Sequence, residues 1–429
     1  MLVAIADRLT AEYGQQGEPS PLKNLICAEV GKRLPEADIE VIESADMIRW
    51  FAEQGPAFIQ PRDVTVNSDL WPTKKSQVRF DPVGLVAVVK PWNYPLELAV
   101  WAIAPALLAG NTIVLKPSEH SSLVGLRLAQ ILVEAGVPSG VVNVVFGGDD
   151  VGKALVAHRD VDMVAFTGSV ASGRDVARQC GESLKRCSLE LGGNDAAVVL
   201  ADADVELAAN GLVWGAFCNS GQVCVGVKRA FIETPVFDDL LDRVAAQATK
   251  LQRGIDYGPL ISVEQAGAVV DFIDDAERKG AKVVVDGRSN RSQSYVGPTV
   301  LADVPRDARL MTEECFGPVL PLIRASSVDD AITQANETPY GLGASIWTSD
   351  LAVGERLADQ LDVGMVWIND VNVALAEAPW GGRKGSGLGV ELSEFGVYEF
   401  VEPKHVSVEL SDERRRDWWY PYSRTGAEG

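Results

Sequence analysis

The stretch Phe166-Thr167-Gly168-Ser169-Val170-Ala171-Ser172-Gly173 decides the fold, because it joins an apolar strand to a helix through a turn of small residues. Glycine lets the backbone approach an anion closely, and the free N–H groups and dipole of a helix start favour a phosphate there. A plain tight turn has the same composition, so this stretch alone leaves both interpretations open.

The same step from strand to helix recurs on both sides of this turn. The predicted strands cover residues 84–89, 112–116, 141–146, 161–166 and 186–191. The predicted helices between them cover residues 97–108, 121–135, 151–158 and 173–179. Strands without polar alternation, each followed by a helix, indicate a parallel sheet covered on both faces. A second α/β series is predicted over about residues 205–395.

The flanking segments predict smaller units. Residues 2–51 are helix-like, with apolar residues recurring at helical intervals. Short β-type runs at 58–60, 64–66 and 77–80 predict hairpin strands between two larger units. A strand predicted at 405–410 precedes a polar tail, whose arginine run at 414–416 we interpret as solvated or in contact with another subunit.

The charge balance argues against two classes of partner. The 429 residues include 39 Lys and Arg against 60 Asp and Glu, a net charge of −21. Such a surface repels phosphate backbones and anionic lipid headgroups, so we expect neither nucleic acid nor a membrane as partner. The length predicts two or three domains, and a hydrophobic fraction of 47% supplies a large core. These numbers favour a small-molecule enzyme.

Residue usage also bears on location and on metals. The N-terminus has no basic segment followed by an apolar core, so we expect no secretory signal. The apolar stretch 96–115 is interrupted by Glu97, Pro105 and Gly110, which predicts a buried helix and strand and not a membrane span. Six cysteines without paired spacing predict a reducing cytoplasm. Cys218 and Cys224 lack nearby histidines, so we expect no metal site.

With three histidines in the chain, acid–base chemistry falls to carboxylates or to a thiolate. Cys224 follows a Gly-Gln turn, where we predict a helix start that would stabilise its thiolate; a buried inert cysteine is the alternative. Glu190 stands alone in an apolar strand, which predicts a raised pKa and a general base near neutral pH. The alternative is a salt-bridged glutamate at a strand end.

Two further segments place polar groups at strand ends. Asn93 lies between Pro91 and Pro95, and a rigidly held amide is a good donor to an oxyanion, although asparagine is also common in turns. Lys116 and Glu119 follow a strand, where a lysine and an acid can bind ribose hydroxyls. An exposed pair of loop charges is the alternative.

Together these motifs resemble one family. In chain order they are PWNYP (91–95), KPSE (116–119), FTGS (166–169), LELGG (189–193), GQVC (221–224), EECFGP (313–318) and PWGGRKGSG (379–387). Their order and spacing strongly resemble the NAD(P)-dependent aldehyde dehydrogenase superfamily. The resemblance covers about residues 23–410, which makes an unrelated nucleotide-binding enzyme the remote alternative.

The resemblance implies an α/β fold with a Rossmann-like cofactor domain, an α/β catalytic domain and a small β oligomerisation ribbon. The implied division is 1–63 and 82–192 for the NAD-binding domain, 193–400 for the catalytic domain, 64–81 and 401–412 for the ribbon, and 413–429 for the tail. A ribbon that pairs strand edges across subunits implies a homodimer or homotetramer. The family has a longer segment before the first helix and a longer loop around residues 253–259, so we expect a reduced outer layer in the cofactor domain.

Residue by residue, the resemblance implies hydrolysis through a thioester. Cys224 would attack an aldehyde, with the Asn93 amide and the Cys224 backbone N–H holding the oxyanion. Glu190 would activate water for hydrolysis, which weighs against a relative that transfers the acyl group to coenzyme A. Lys116 is carried over with this catalytic set, and Glu391 matches a carboxylate that relays protons. A catalytically silent NAD-binding relative is the second interpretation, against which the retained residues argue.

The resemblance also implies a dinucleotide cofactor. Lys116 and Glu119 match residues that contact the adenosine ribose, where an acid accepts from a 2′-hydroxyl and repels a 2′-phosphate. We therefore expect NAD, with NADP as the alternative. Gly168 and Ser169 match the pyrophosphate-binding turn. The set is completed by Trp92, Glu314 and Phe316, of which the last two match the nicotinamide ribose and ring.

Positions that vary in the family predict the substrate. The channel positions fall on Leu98, Trp101, Trp214, Cys218, Ala374 and Trp380. They predict a broad, aromatic and uncharged wall. Cys218 and Trp101 lie where relatives that oxidise succinate semialdehyde carry cations, so we do not expect an anionic aldehyde. The wall suits a bulky apolar or aromatic aldehyde, and the alternative is an aminoaldehyde of the betaine-aldehyde type held by cation–π contacts.

Overall fold

The computed structural model describes residues 1–416 and 418–420, and the strands in that part of the chain pair into three sheets. The strands are β1 (Arg62–Val64), β2 (Lys74–Pro82), β3 (Leu85–Val89), β4 (Thr112–Lys116), β5 (Val142–Val144), β6 (Met163–Thr167), β7 (Arg186–Glu190), β8 (Asp195–Val199), β9 (Val227–Glu233), β10 (Lys282–Val285), β11 (Thr299–Ala302), β12 (Val319–Ala325), β13 (Gly343–Trp347), β14 (Met365–Ile368), β15 (Gly387–Leu388) and β16 (Val401–Glu409). The helices are α1 (Leu2–Tyr13), α2 (Pro21–Val30), α3 (Leu34–Phe58), α4 (Glu97–Leu108), α5 (Ser122–Glu134), α6 (Asp149–Ala157), α7 (Val170–Ser183), α8 (Val205–Phe217), α9 (Thr234–Ala248), α10 (Val263–Arg278), α11 (Val328–Asn336), α12 (Leu351–Ala358) and α13 (Ser393–Glu399).

The first large sheet has the order β15-β7-β6-β3-β4-β5 and is parallel from β7 to β5. Its strand β6 is buried along its whole length, as the apolar run predicts. Helix α7 begins at Val170, earlier than predicted, because the Ser169 hydroxyl caps it by accepting the Ser172 N–H at 3.2 Å. The prediction of an α/β chain with a parallel sheet is confirmed.

The second large sheet has the order β10-β11-β12-β9-β8-β13-β14. It is parallel except for the antiparallel edge pair of β10 and β11. Strand β15 comes from the range assigned to the catalytic domain, yet it pairs with β7 of the first sheet and places Gly387 opposite Glu190. The division into domains stays a prediction.

The helix-like N-terminal stretch folds into three helices, α1 to α3. Gly31 ends α2 at a φ of 78°, a left-handed conformation that a residue with a Cβ adopts only with strain. The strand predicted at 58–60 is wrong, because Phe58 is the last residue of α3. Packing prolongs that helix: Phe51 is fully buried, and Gly55 lies so close to Leu108 of α4 that an added Cβ would collide with it.

The third sheet is an antiparallel ribbon of order β1-β2-β16. Strand β16 pairs with β2 over its whole length, and both leave many side chains exposed. The described part of the tail folds back on this ribbon, with the Trp418 ring 5.1 Å from that of Trp71. The rest of the predicted tail, residues 417 and 421–429, lies outside the described residues. Within the described ranges, no helix has the length and apolar character that crossing a membrane requires.

Candidate active site

Two cavities meet at Cys224. One, of about 240 Å³, lies among the loops that follow β3, β6 and β7. The other, of about 170 Å³, lies between α3, α4, α8 and the segment 372–374. Cys224 and Leu98 line both cavities. The thiol therefore stands in the wall between two spaces that a cofactor and a substrate could occupy.

The backbone around Cys224 is a turn and not a helix start, so that prediction is wrong. Helix α8 is followed by a short 3-10 helix, Cys218–Gly221, and Cys224 lies between it and β9. Asn219, Ser220 and Gly221 have φ values of 47°, 56° and 73°, which end the helical path before the thiol is reached.

Side-chain amides fix the shape of this turn. The Asn93 Nδ2 donates to the Gln222 carbonyl at 3.1 Å, and the Asn219 Nδ2 donates to the Asn93 carbonyl at 3.1 Å. The Gln222 side chain spans the turn, donating to the Asn219 carbonyl and accepting the Ile261 N–H at 2.8 Å. Asn93 is therefore held rigidly beside Cys224, and its Nδ2 carries a second N–H.

The thiol is not poised as a thiolate. Burial raises the pKa of Cys224, and the carboxylates of Asp195, Glu314 and Glu190 raise it further. The predicted stabilisation by a helix start is absent because no helix begins there in the described chain. Deprotonation of the thiol therefore needs a nearby base.

Glu190 is the last residue of β7 and is 3% exposed. Neither of its carboxylate oxygens has a hydrogen-bond partner among the described residues. Burial raises its pKa well above the usual range, and the neighbouring Glu391 raises it further. The predicted raised pKa is confirmed, and within the described chain the alternative of a salt-bridged glutamate is wrong.

A buried lysine beside Glu190 was missed from the sequence. The Lys90 Nζ forms an ion pair with Glu391 and donates to the Thr167 Oγ1 at 2.8 Å. Lys90 and Glu391 are each 3% exposed, and the second Glu391 oxygen is unpartnered among the described residues. The signal was available, because Lys90 directly follows an apolar strand at the edge where ligands bind.

The residues implied for the pyrophosphate and the nicotinamide end of a cofactor line the 240 Å³ cavity. They are Trp92, Gly168, Ser169, Glu314 and Phe316. The rings of Trp92 and Phe316 meet edge to face at 5.7 Å. Glu314 accepts the Gly193 N–H at 3.1 Å, and burial raises its pKa to about 7. An added Cβ at Gly192 would collide with the Glu314 carboxylate, so the glycine lets that carboxylate lie against the backbone.

A separate open groove of about 460 Å³ runs along α6 and α7. Lys116 lines it and is 5% exposed, whereas Glu119 is half exposed with its carboxylate 3.9 Å from the Lys116 Nζ. Phe166 lines this groove, and the next residues of the same strand end, 167–169, line the inner cavity. The two spaces therefore adjoin at the start of α7.

The predicted substrate residues lie together on the other side of Cys224. The 170 Å³ cavity is lined by all six: Leu98, Trp101, Trp214, Cys218, Ala374 and Trp380. The rings of Trp101 and Trp380 meet at 5.0 Å and form its inner wall. Their function as substrate contacts stays a prediction.

The prediction of an uncharged wall is wrong. Glu36 and Glu43 of α3 and Glu97 of α4 also line the cavity. Glu36 accepts two backbone N–H groups, whereas no hydrogen bond occupies the carboxylates of Glu43 and Glu97 in the described chain. Burial raises the pKa of Glu43 to about 7, and burial with the nearby Glu43 raises that of Glu97 well above its usual range. The sequence hid this cluster because α3 lies far from the channel motifs in the chain.

No set of three or more His, Cys, Asp or Glu side chains suited to a metal ion occurs in residues 1–416 and 418–420. The groups collected around Cys224 are carboxylates, an amide, a lysine and aromatic rings. They suit covalent catalysis by a thiol with a carboxylate base.

Comparison with known proteins agrees with this arrangement. A family model described as "Aldehyde dehydrogenase family" matches residues 15–406. The chain is 36% identical to betaine aldehyde dehydrogenase of Bacillus subtilis (strain 168) over 397 residues, 90% of this chain and 80% of that protein. It is 39% identical to aldehyde dehydrogenase 1A1 of Homo sapiens over 362 residues, 82% of this chain and 72% of that protein.

Solved structures also superpose closely on this chain. An E. coli NADP-dependent enzyme superposes with a TM-score of 0.90 at 36% identity, covering 95% of this chain and 85% of its own. A betaine aldehyde dehydrogenase of Staphylococcus aureus in complex with NAD+ superposes with a TM-score of 0.91 at 30% identity, covering 98% of this chain and 83% of its own.

Proposed function

This chain belongs to the aldehyde dehydrogenase family, and from that premise we propose that it oxidises an aldehyde to the carboxylic acid with NAD, through a thioester on Cys224. The observation that carries the proposal is the place of Cys224 in the wall between two cavities. A sulfur in that position can bond to an aldehyde carbon that enters from one side while the carbon faces a cofactor on the other.

The first step is addition of the thiol to the aldehyde. The Cys224 sulfur bonds to the carbonyl carbon, and the thiol proton passes to a carboxylate, for which Glu190 is suited by its raised pKa. The carbonyl electrons move to oxygen, where the second N–H of Asn93 Nδ2 and the Cys224 backbone N–H would hold the negative charge.

Oxidation and hydrolysis complete the cycle. Bound NAD supplies the acceptor for the hydride that leaves the thiohemiacetal carbon. Glu190 then takes a proton from water, which adds to the thioester carbon and displaces the Cys224 sulfur. The ion pair of Lys90 and Glu391 lies beside Glu190 and would carry the protons that Glu190 accepts away from the site. Proton relay is the role that the resemblance implies for Glu391.

The residues present fit a dinucleotide. The outer groove with Lys116 suits an adenosine ribose, the start of α7 at Ser169 suits a pyrophosphate, and the inner cavity with Glu314 and Phe316 suits the nicotinamide end.

NAD is preferred over NADP in this proposal because of Glu119. Its half-exposed carboxylate beside Lys116 would accept from a 2′-hydroxyl and repel a 2′-phosphate. The Staphylococcus relative in complex with NAD+ supports this preference, whereas the similar E. coli enzyme is named for NADP.

For the substrate, the aromatic wall supports a bulky apolar or aromatic aldehyde. Trp101 and Trp380 are almost fully buried, and their rings would pack on a planar or branched group.

The carboxylates favour a second candidate, an aldehyde that carries an ammonium group. Lys32 is paired with Glu40 at 2.6 Å and lowers the pKa values of Glu43 and Glu97 in part, but burial still raises both above their usual range. A cation placed between Trp101 and these two carboxylates would favour their ionised forms and would be held by charge and by a ring face. The betaine aldehyde dehydrogenases of Bacillus subtilis and Staphylococcus aureus among the relatives are consistent with this candidate.

Assembly and location belong to the same proposal. The exposed edges of the ribbon β1-β2-β16 would pair with a second subunit and give a homodimer or homotetramer. The cytoplasm is the proposed compartment, where the six cysteines, all free in the described chain, would stay reduced.

The experiment that tests the proposal follows absorbance of the reduced cofactor. Purified protein is mixed with NAD or NADP and with aromatic, aliphatic and amino aldehydes in turn. We expect turnover with NAD exceeding that with NADP, and a carboxylic acid as product. If no aldehyde reduces either cofactor while a thiol probe still labels Cys224, the proposal is wrong.

A further inference from the structure

The first turns of helix α3 contact both segments that carry the candidate oxyanion donors. Glu36 and Glu40 lie four residues apart on α3, so their side chains leave the same face of the helix one turn apart. The Glu36 Oε1 accepts the Asn219 N–H at 2.6 Å, and the Glu40 Oε1 accepts the Leu96 N–H at 2.9 Å. The first contact reaches the turn that leads to the candidate nucleophile, and the second reaches the loop of the PWNYP motif.

The second oxygen of each carboxylate is bound as well. The Glu36 Oε2 accepts the Arg33 N–H at 2.9 Å, which closes the first turn of α3. The Glu40 Oε2 accepts from the Lys32 Nζ at 2.6 Å, and both of these side chains are fully buried. The same ammonium group lies 3.4 Å from the centre of the Tyr94 ring, next to the motif asparagine. Both carboxylates therefore have fixed positions relative to the helix.

A set of amide hydrogen bonds connects the two segments to each other. The Asn219 Nδ2 donates to the Asn93 carbonyl at 3.1 Å and to the Gln222 carbonyl at 3.3 Å. The Asn93 Nδ2 donates to the same Gln222 carbonyl at 3.1 Å. Asn219 has a φ of 47°, which a residue with a Cβ keeps only when tertiary contacts stabilise it. Glu36 binds the N–H of this same residue, so loss of the carboxylate would let the turn move relative to Asn93.

We propose that Glu36 is a positioning residue, which sets the distance between the two donors to the oxyanion, the Asn93 Nδ2 and the Cys224 N–H. Both donors act on one oxygen only when each stands about 3 Å from it, so a small shift of the turn weakens the pair. Helix α3 holds the turn through Glu36 and the loop through Glu40, so one rigid element fixes both donors. The inference rests on the proposed function, which assigns these donors, and a reaction without cofactor tests it separately.

Acylation of Cys224 by p-nitrophenyl acetate tests this role in the full-length protein. The sulfur bonds to the ester carbon through an oxyanion, nitrophenolate leaves, and the thiol proton passes to a base; released nitrophenolate gives the rate, and mass spectrometry places the acetyl group. Glu36→Ala should lower the rate about tenfold, and Glu36→Asp, which keeps the charge but is one methylene shorter, should lower it too. Glu36→Gln keeps an oxygen for the Asn219 N–H and should stay within about threefold of wild type. Glu53→Ala, on the exposed face of α3, is the control and should leave the rate unchanged.

A double variant separates positioning from a general loss of structure. In Asn93→Ala, the further change Glu36→Ala should lower the acylation rate by less than about twofold, because the spacing of two donors matters only while both are present. Multiplied effects of the two changes would overturn the inference. Unchanged rates in Glu36→Ala and Glu36→Asp, or a wild type that leaves Cys224 without acetyl, would also overturn it. If the wild type is acylated but reduces no NAD with any aldehyde, the proposed function fails while these rates still decide the inference.

Discussion

The two cavities that meet at Cys224 are built in different ways. The cofactor-side cavity is formed by loops that follow parallel strands, with Asn93 after β3, Ser169 after β6 and Gly192 after β7. The substrate-side cavity also takes in faces of α3, α4 and α8, together with residues beside Cys224 and at 372–374. The loops after parallel strands converge on one edge of the sheet, so sheet topology alone brings their residues together. Which residues a helix contributes to a cavity depends on the face that its packing turns toward that cavity.

The carboxylates near the two cavities also have different surroundings. On the cofactor side, Glu314 is half-buried and accepts the Gly193 N–H, and near that cavity Glu190 is buried beside Glu391, which raises its pKa. On the substrate side, Glu43 raises the pKa of Glu97, and Glu40 and Asp46 raise that of Glu43. Under the proposed function, the first cavity would serve the reaction steps and the second would select the aldehyde that enters.

Replacing Cys224, which lines both cavities, should have the largest effect on kcat. Cys224→Ser is expected to lower kcat by about a thousandfold or more, because the hydroxyl is a far weaker nucleophile. Steady-state reduction of NAD measures the loss, and titration of NAD binding should stay within about twofold of wild type. Cys218→Ser is the matched control, since that thiol lines only the substrate side among the described cavities. A comparable loss in the control would place the nucleophile elsewhere.

The second-largest effect is expected from loss of the amide that would hold the oxyanion. Asn93→Ala should lower kcat by about a hundredfold, the usual effect of removing one donor to an oxyanion. Asn372→Ala removes an amide from the other wall of the substrate cavity and should change kcat by less than about threefold. A pair of variants with equal kcat would contradict the assignment of Asn93.

The substrate side should respond in KM. Glu97→Gln is expected to raise KM for an ammonium-bearing aldehyde about tenfold, because a desolvated charge contact is lost, and to leave KM for a neutral aromatic aldehyde unchanged. Glu53→Gln, on the exposed face of α3, is the control. Because the raised pKa of Glu43 lies at about 7, KM for the cationic aldehyde should rise as pH falls through 7. An equal change in KM for both aldehydes in Glu97→Gln would favour a bulky apolar or aromatic aldehyde as the substrate.

The smallest effect is expected at the outer groove. Glu119→Gln should raise kcat/KM with NADP about three- to tenfold relative to NAD, since repulsion of a 2′-phosphate across an exposed carboxylate is screened by water. Glu182→Gln, at the far end of α7, is the control and should leave the ratio unchanged. A ratio that does not move in Glu119→Gln would remove this residue from cofactor selection.

The same contrast explains what the sequence could predict. Strands 112–116 and 186–190 and helix 97–108 follow from apolar runs and turn residues, and the loops after strands hold the motif residues that the structure brings around Cys224. The turn at Cys224 was misread because Asn219 and Ser220 adopt positive φ through tertiary hydrogen bonds, for which local sequence gives no signal.

Long-range packing explains the other errors. Glu43 reaches the substrate cavity because α3 packs on α4, a contact between segments about fifty residues apart that no local pattern specifies. Phe58 belongs to α3 and not to a strand because the packing of α3 on α4 prolongs that helix. Lys90 was missed although it directly follows a strand, because its partner Glu391 lies 301 residues away in the chain.

The most direct measurement of the central claim is a rapid-mixing experiment on Glu190→Gln with NAD and a substrate aldehyde. The account predicts a burst of reduced cofactor of about one equivalent per site, then a steady-state rate lowered about a hundredfold or more, with the acyl group found on Cys224 by mass spectrometry. In wild type, deacylation should rise with pH through the raised pKa of Glu190, because only the ionised carboxylate accepts a proton from water. An unchanged steady-state rate in Glu190→Gln, or a burst without acylated Cys224, would contradict the account.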